Sequence, residues 1–154
     1  MIKLKKAVRS DCILLHQLQT ASFASLLQKY QDFDTNPGAE PIEKIYTRFD
    51  QPYTDYYLIL LNEQVIGMLR VCDHEERCRL SPICILPEHQ GRGYAALAMQ
   101  EMEKCYPKAK IWDLDTILQE DRLCRFYEKL GYQRTGEYRR IKEGMDLVFY
   151  RKTM

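Results

Sequence analysis

The residues from Ile83 to Ala95 (Ile-Cys-Ile-Leu-Pro-Glu-His-Gln-Gly-Arg-Gly-Tyr-Ala) join a β-prone run to a glycine-rich turn and the start of a helical pattern. Gly91 and Gly93 let the backbone turn sharply and bring N–H groups close to a ligand. The first turn of a helix adds unpaired N–H groups and a partial positive charge. The chemistry on offer is anion binding, and a pyrophosphate is a natural fit. The pattern is neither G-x-x-x-x-G-K-[ST] nor G-x-G-x-x-G. On local physics alone, an anion cradle and a plain glycine turn fit it equally.

Other reactive side chains are weaker candidates. Cys84 lies within this segment, but the nearest histidine, His89, falls past the strand end, so a packed thiol is expected rather than a nucleophile. Cys72, His74 and Cys78 match no common zinc spacing and lack an obvious fourth ligand, so no metal is expected. His74, Glu75 and Glu76 read as a solvated hairpin turn. Tyr127 lies on the apolar face of a helix, where a core aromatic is the ordinary reading.

The elements that position these residues follow from periodicity. Residues 2–8 alternate enough for an opening strand. Ser10 or Asp11 can cap a helix that carries Leu14, Leu18 and Ala21 at helical spacing, widened by Leu15 and Leu26, and fades near Tyr30. Asp32 to Gly38 is a loop on composition, and Pro41 to Phe49 a second helix. Tyr56–Leu61, Val65–Cys72 and Cys78–Leu86 are strands of an antiparallel meander, with Asp73 to Arg77 in the second turn. After the glycine turn, Ala96 to Cys105 is a helix with Leu97, Met102 and Cys105 on its buried side. Lys110 to Leu114 is a short strand around Trp112. Ile117 to Leu130 is a helix with Leu123, Phe126, Tyr127 and Leu130 on one face, stopped by Gly131. Tyr132–Arg140 and Met145–Lys152 form a last hairpin around Gly144. A strand–helix–strand unit therefore sits inside a mostly antiparallel sheet.

The chain has 154 residues and is 45% hydrophobic, enough for one domain with a real core. Its 23 lysines and arginines balance 22 aspartates and glutamates, which gives no electrostatic reason to expect a nucleic-acid or membrane partner. The N-terminal lysines are not followed by an apolar run, and no stretch is long and apolar enough to span a bilayer, so the expected location is the cytoplasm. The six cysteines are scattered without C-x-x-C spacing and read as reduced, mostly buried thiols.

Two segments carry a resemblance. Gln90-Gly91-Arg92-Gly93-Tyr94-Ala95 is similar to the Q/R-x-x-G-x-G/A motif of the GNAT N-acetyltransferases, preceded by Ile85-Leu86-Pro87 in place of V-x-P. Arg125-Phe126-Tyr127-Glu128-Lys129-Leu130-Gly131-Tyr132 resembles the FYEKLGF segment of the same family, in the same order and on the same elements. The resemblance implies an α/β (α+β) fold of one domain spanning residues 1–154. Its mixed, mostly antiparallel sheet would have about seven strands, flanked by about four helices and splayed at the cofactor site. It implies acetyl-coenzyme A as co-substrate and an amine, on a small molecule or a protein, as acceptor. Backbone groups of Ile83 and Ile85 would pair with the pantetheine arm as an added strand, and the Ile85 N–H would polarise the thioester carbonyl. Gln90, Gly91, Arg92, Gly93, Tyr94 and Ala95 would form the pyrophosphate site. Tyr127 would protonate the leaving thiolate, a role suited to a phenol whose ordinary pKa is about 10. Family members are commonly dimers, and no stretch here marks an interface.

The sequence departs from the family pattern twice. Glu120 stands where an asparagine is frequent near the start of the tyrosine-bearing helix. Leu80 to Ile85 holds no acid where many members carry a glutamate as general base. Asp115 and Glu120, beyond the Trp112 strand, are the substitute candidates for holding the amine and removing its proton. Helix capping by Asp115 and a first-turn charge effect at Glu120 are the ordinary readings of the same residues. A non-catalytic domain that binds acyl-coenzyme A is the competing function. Acylation of a charged transfer RNA shares the fold but needs a basic docking surface.

Overall fold

The computed structural model describes residues 1–154. Strand β1 (Ile2–Lys6) leads into helix α1 (Cys12–Tyr30) and helix α2 (Ile42–Phe49). Strands β2 (Thr54–Leu61), β3 (Gln64–His74) and β4 (Arg77–Ile85) follow as a meander. Helix α3 (Tyr94–Cys105) connects to β5 (Ile111–Ile117), then helix α4 (Asp121–Lys129), β6 (Gln133–Lys142) and β7 (Met145–Thr153). All seven strands form one sheet in the order β1-β2-β3-β4-β5-β7-β6. Every neighbouring pair is antiparallel except β4 and β5, the strands that α3 connects.

Alternation along β2 explains the layers. Tyr57 and Ile59 point into a core shared with α3 and α4, while Tyr56 and Leu58 point into a second core beneath α1 and α2. A strand covered on both faces reads as a continuous apolar run, as Tyr-Tyr-Leu-Ile-Leu-Leu does. The larger core is built around Trp112, Met99, Met102, Tyr132 and Tyr150.

Several boundaries differ from expectation. β5 does not stop at Leu114: Thr116 and Ile117 keep the alternation and pair with Val148 and Leu147 of β7. Helix α4 consequently begins at Asp121 rather than Ile117, and Asp115 lies inside a strand instead of capping a helix. β3 runs on to His74, whose ring packs 4.9 Å from that of Tyr53, so the turn before β4 shrinks to Glu75 and Glu76. Helix α3 starts at Tyr94 and buries Ala98, Met99 and Met102; Leu97 and Cys105 are exposed. α1 buries Cys12, Leu15, Leu18 and Gln19, and Ala21 faces outward. The remaining five cysteines are buried and unbridged. No helix is long and apolar enough to cross a membrane.

Candidate active site

The sheet opens between β4 and β5. These strands pair only at Arg77↔Ile111, Cys78↔Trp112 and Arg79↔Asp113. Beyond that point β4 stays with β3 as far as Ile85, and β5 stays with β7 as far as Ile117. Pro82, which has no N–H to offer a neighbour, lies in the part of β4 that has separated. The Leu86 N–H donates to the Ile66 carbonyl at 2.8 Å, so alternation turns the N–H and C=O of Ile85 and Ile83 away from β3, toward the gap. Gly67 opposes Ile85 on β3, and a side chain there would strike the Cys84 carbonyl.

At the end of this wall stands the glycine turn. Gly91 (φ 77°) and Gly93 (φ 83°) are both left-handed, and a Cβ on either would meet nothing within 4 Å. The N–H groups from Gly91 to Ala96 have no acceptor in the protein, because the turn precedes the helix and the first helical amides lack partners. Arg92 is exposed and forms no ion pair. Open space, unpaired donors and a helix N-terminus meet here, a donor set that fits a diphosphate. Gln90 has a different place from its neighbours: its side-chain amide donates to the Ile85 carbonyl at 2.8 Å and pins the exit of β4.

Tyr127 sits on α4 and shares a core with Ile85 and Leu114, one on each side of the gap. Its ring packs against Phe126 (5.1 Å), Tyr132 (6.1 Å) and Tyr150 (6.3 Å). Its hydroxyl has no hydrogen-bond partner in the protein, yet it is not among the sealed orphan atoms. Burial pushes the phenol pKa up, and the negative charge of Asp115 adds to the rise, so the proton stays on oxygen at neutral pH.

The two acids behave differently. Asp115 projects from β5 on the sheet face opposite Trp112 and Leu114, beside Arg79, with which it forms an ion pair. Burial raises its pKa, against the opposing charge of Arg79. Glu120 occupies the N-cap position of α4, but its carboxylate makes no cap bond. It accepts hydrogen bonds from Lys29 (2.7 Å) and from the Tyr30 hydroxyl. Burial alone would push its pKa up; those hydrogen bonds outweigh it, and the net shift is downward. Glu120 therefore acts as a tie to the end of α1 rather than as a free acid. Lys142 adds a bond from the β6–β7 hairpin to the Tyr30 carbonyl at 2.9 Å.

Cys84 points to the other face, donating to the Leu18 carbonyl at 3.8 Å, and burial lifts its pKa to about 11. A thiol held protonated there is a packing group, as expected from sequence. Cys72, His74 and Cys78 do not converge on a common point: no three histidine, cysteine or acidic side chains do so anywhere in the chain.

This arrangement, a parallel strand pair split open with a glycine turn and free amides at its mouth, has a counterpart in a known family. The sequence profile of the Acetyltransferase (GNAT) family matches residues 20–132. The chain belongs to this family. GNAT proteins are acetyltransferases that use acetyl-coenzyme A, so this chain is an acyltransferase of that kind. Solved structures agree on the fold. An acetyltransferase from Thermus thermophilus superposes with a TM-score of 0.77 at 17% identity, covering 100% of this chain and 97% of the other. The ribosomal-protein-S18-alanine N-acetyltransferase of Escherichia coli gives 0.80 at 12% identity, covering 99% and 94%. A spermidine N-acetyltransferase from Vibrio cholerae, solved with CoA and spermine, gives 0.75 at 17% identity, covering 99% and 95%. No curated protein matches the sequence significantly.

Sequence reasoning missed two features near the β4–β5 opening. One is the Lys29–Tyr30–Glu120 tie, whose partners are about ninety residues apart and leave no local signal. The other is Arg70, a lone charge in the apolar run Ile66-Gly67-Met68-Leu69-Arg70-Val71-Cys72; that composition was its signal.

Proposed function

We propose that the whole chain acts as one acetyltransferase domain and moves the acetyl group of acetyl-coenzyme A to a primary amine by direct attack, with both reactants bound together. The observation that carries this reading is the β4–β5 opening, with unpaired amides on one side and the unpartnered Tyr127 hydroxyl in the core beside it. Acetyl-coenzyme A supplies the activated acetyl group as a thioester. The amides of Gly91, Arg92, Gly93, Tyr94 and Ala95 would hold its pyrophosphate, with the Arg92 guanidinium adding charge. Ile83 and the Ile85 N–H would take the pantetheine arm as an added strand. The same Ile85 N–H would meet the reacting carbonyl oxygen, where negative charge grows during attack. Gln90 would contribute through the shape of the strand exit, since its amide is already committed to Ile85.

The proton traffic divides between the two faces of the sheet. Asp115, on the face of α1 and α2, would accept a proton from the incoming ammonium; its raised pKa makes it a stronger base than an ordinary aspartate. Tyr127, on the face of α3 and α4, would give its proton to the departing thiolate as the new C–N bond replaces the C–S bond. Positioning of the two reactants would supply much of the rate.

The test is thiol release from acetyl-coenzyme A in the presence of polyamines, aminoglycosides, amino acids and peptides with free N-termini. Amine-dependent release supports transfer. Tight coenzyme A binding with no release for any amine would replace this reading with a non-catalytic acyl-coenzyme A-binding domain.

A further inference from the structure

The layer between the sheet and helices α1 and α2 holds two arginines whose charges are treated differently. Arg48 meets Glu40 through two bonds, Nη1 to Oε1 at 2.9 Å and Nη2 to Oε2 at 2.7 Å. Gln19 and Lys44 complete the shell of that carboxylate. Arg70 is 9% exposed and forms no ion pair. Its Nε donates to the Ser81 carbonyl at 2.6 Å and its Nη1 to Cys72 Sγ at 3.3 Å, and neither acceptor carries charge. A buried cation costs free energy unless an anion or a full set of hydrogen bonds meets it. Arg70 has neither.

Its surroundings repeat the deficit. Tyr56 stands opposite Arg70 in the β2–β3 register, is 1% exposed, and its hydroxyl is sealed without a hydrogen-bond partner. Ser22 Oγ and Gln19 Oε1, both on α1, are likewise sealed and unpaired. Two unpaired hydroxyls and an unpaired amide oxygen thus share the layer with one uncompensated guanidinium, and the Tyr56 hydroxyl is the one set opposite it.

The position is informative. β3 loses register with β4 at Arg70, between Leu69↔Ile83 and Val71↔Leu80. The guanidinium therefore holds Ser81 where β4 has just parted from β5, on the same sheet face as Asp115. We propose that Arg70 anchors a carboxylate carried by the acceptor amine through its Nη2, the guanidinium nitrogen that is neither bonded nor sealed. This names a substrate class and rests on the acyl-transfer reading above. At the regular rise of about 3.3 Å per residue Ile83 would lie about 7 Å and Ile85 about 13 Å from Ser81, and the register slip at Ser81 shortens both. An acceptor spanning that distance has its carboxylate several bonds from its amine, as in a diamino acid reacting at its side chain or a short peptide reacting at its N-terminus.

The test pairs each amine with its counterpart lacking the carboxylate: lysine with cadaverine, ornithine with putrescine, and glycylglycine with its C-terminal amide. Phosphoethanolamine and ethanolamine form the phosphate arm. The full chain is assayed by thiol release, as wild type and as Arg70→Gln, which keeps an N–H for Ser81 but removes the charge. The proposal expects at least one carboxylate-bearing amine to exceed its partner tenfold in kcat/KM. It expects Arg70→Gln to erase that preference through the acceptor KM, with the KM for acetyl-coenzyme A changed less than twofold. Equal use of all pairs, or a preference that survives in Arg70→Gln, overturns it. So does a preference confined to phosphoethanolamine, which would assign the anchor to phosphate. If Arg70→Gln fails to fold, the wild-type pairs decide alone. If no amine releases thiol, acyl transfer falls, and calorimetric titration of lysine and cadaverine into protein saturated with coenzyme A still decides the anchor. Tenfold tighter lysine supports it; equal affinities reject it.

Discussion

Glu120 and Tyr30 are joined by a hydrogen bond that ties the end of α1 to the loop entering α4, across the mouth of the split sheet. Lys29 reinforces the same carboxylate oxygen, and Lys142 adds the β6–β7 hairpin through the Tyr30 carbonyl. Three segments distant in sequence are thereby held around one opening.

This tie has a pH signature. The Glu120 pKa is shifted downward from 4.5, so its bonds add stability above that pH, and the stability is lost as pH falls through the folded-state value. Glu120→Gln removes a charged acceptor and should cost about 1 kcal/mol at neutral pH, or a few degrees in Tm. Thermal melts from neutral to acidic pH should show the gap between wild type and Glu120→Gln closing only below the ordinary carboxylate range, because the folded-state pKa is shifted downward. A gap independent of pH would mean that the carboxylate charge contributes nothing.

Gly93 is required by conformation rather than by space. Its φ of 83° strains any other residue, although a Cβ would touch nothing. Gly93→Ala should cost about 1 kcal/mol of stability through backbone strain alone. The strain also turns the amides at the head of α3, so the Kd for coenzyme A should rise about tenfold, a loss of about 1.4 kcal/mol. Calorimetric titration measures this directly, and an unchanged Kd would remove the turn from the cofactor site.

Asp115 should set the acidic limb of the rate profile. Burial holds its pKa above 3.8, so kcat/KM should climb with pH along a limb lying above that of an ordinary aspartate. Asp115→Asn should flatten the limb and lower the rate about a hundredfold, within the usual span for one proton-transfer group. The pH profile of the variant checks both. A limb that persists in Asp115→Asn belongs to another group.

Much of this was legible from residue types and spacing. The glycine turn, the strand before it and Tyr127 on the apolar face of a helix stand where periodicity put them. The single parallel pair inside an antiparallel sheet followed from the long connection between β4 and β5. What local patterns did not carry was tertiary. Thr116 and Ile117 suit a strand or a helix start equally, and pairing with β7 decided for the strand. Asp115 therefore moved from a cap to a strand position beside Arg79. Glu120 looked like a first-turn charge because Lys29 and Tyr30, its true partners, are far away in the chain. Arg70 stood out as a charge in an apolar strand, but its lack of a counter-ion depends on packing that no window of sequence contains.

Tyr127 is proposed to give the leaving thiolate its proton, and single-turnover kinetics of Tyr127→Phe with a competent amine probe that role. The hydroxyl bonds to nothing in the protein, so its removal should leave Tm and the Kd for coenzyme A within error. The rate of acetyl transfer should fall about a hundredfold or more. A Tyr127→Phe enzyme that turns over at the wild-type rate would contradict it.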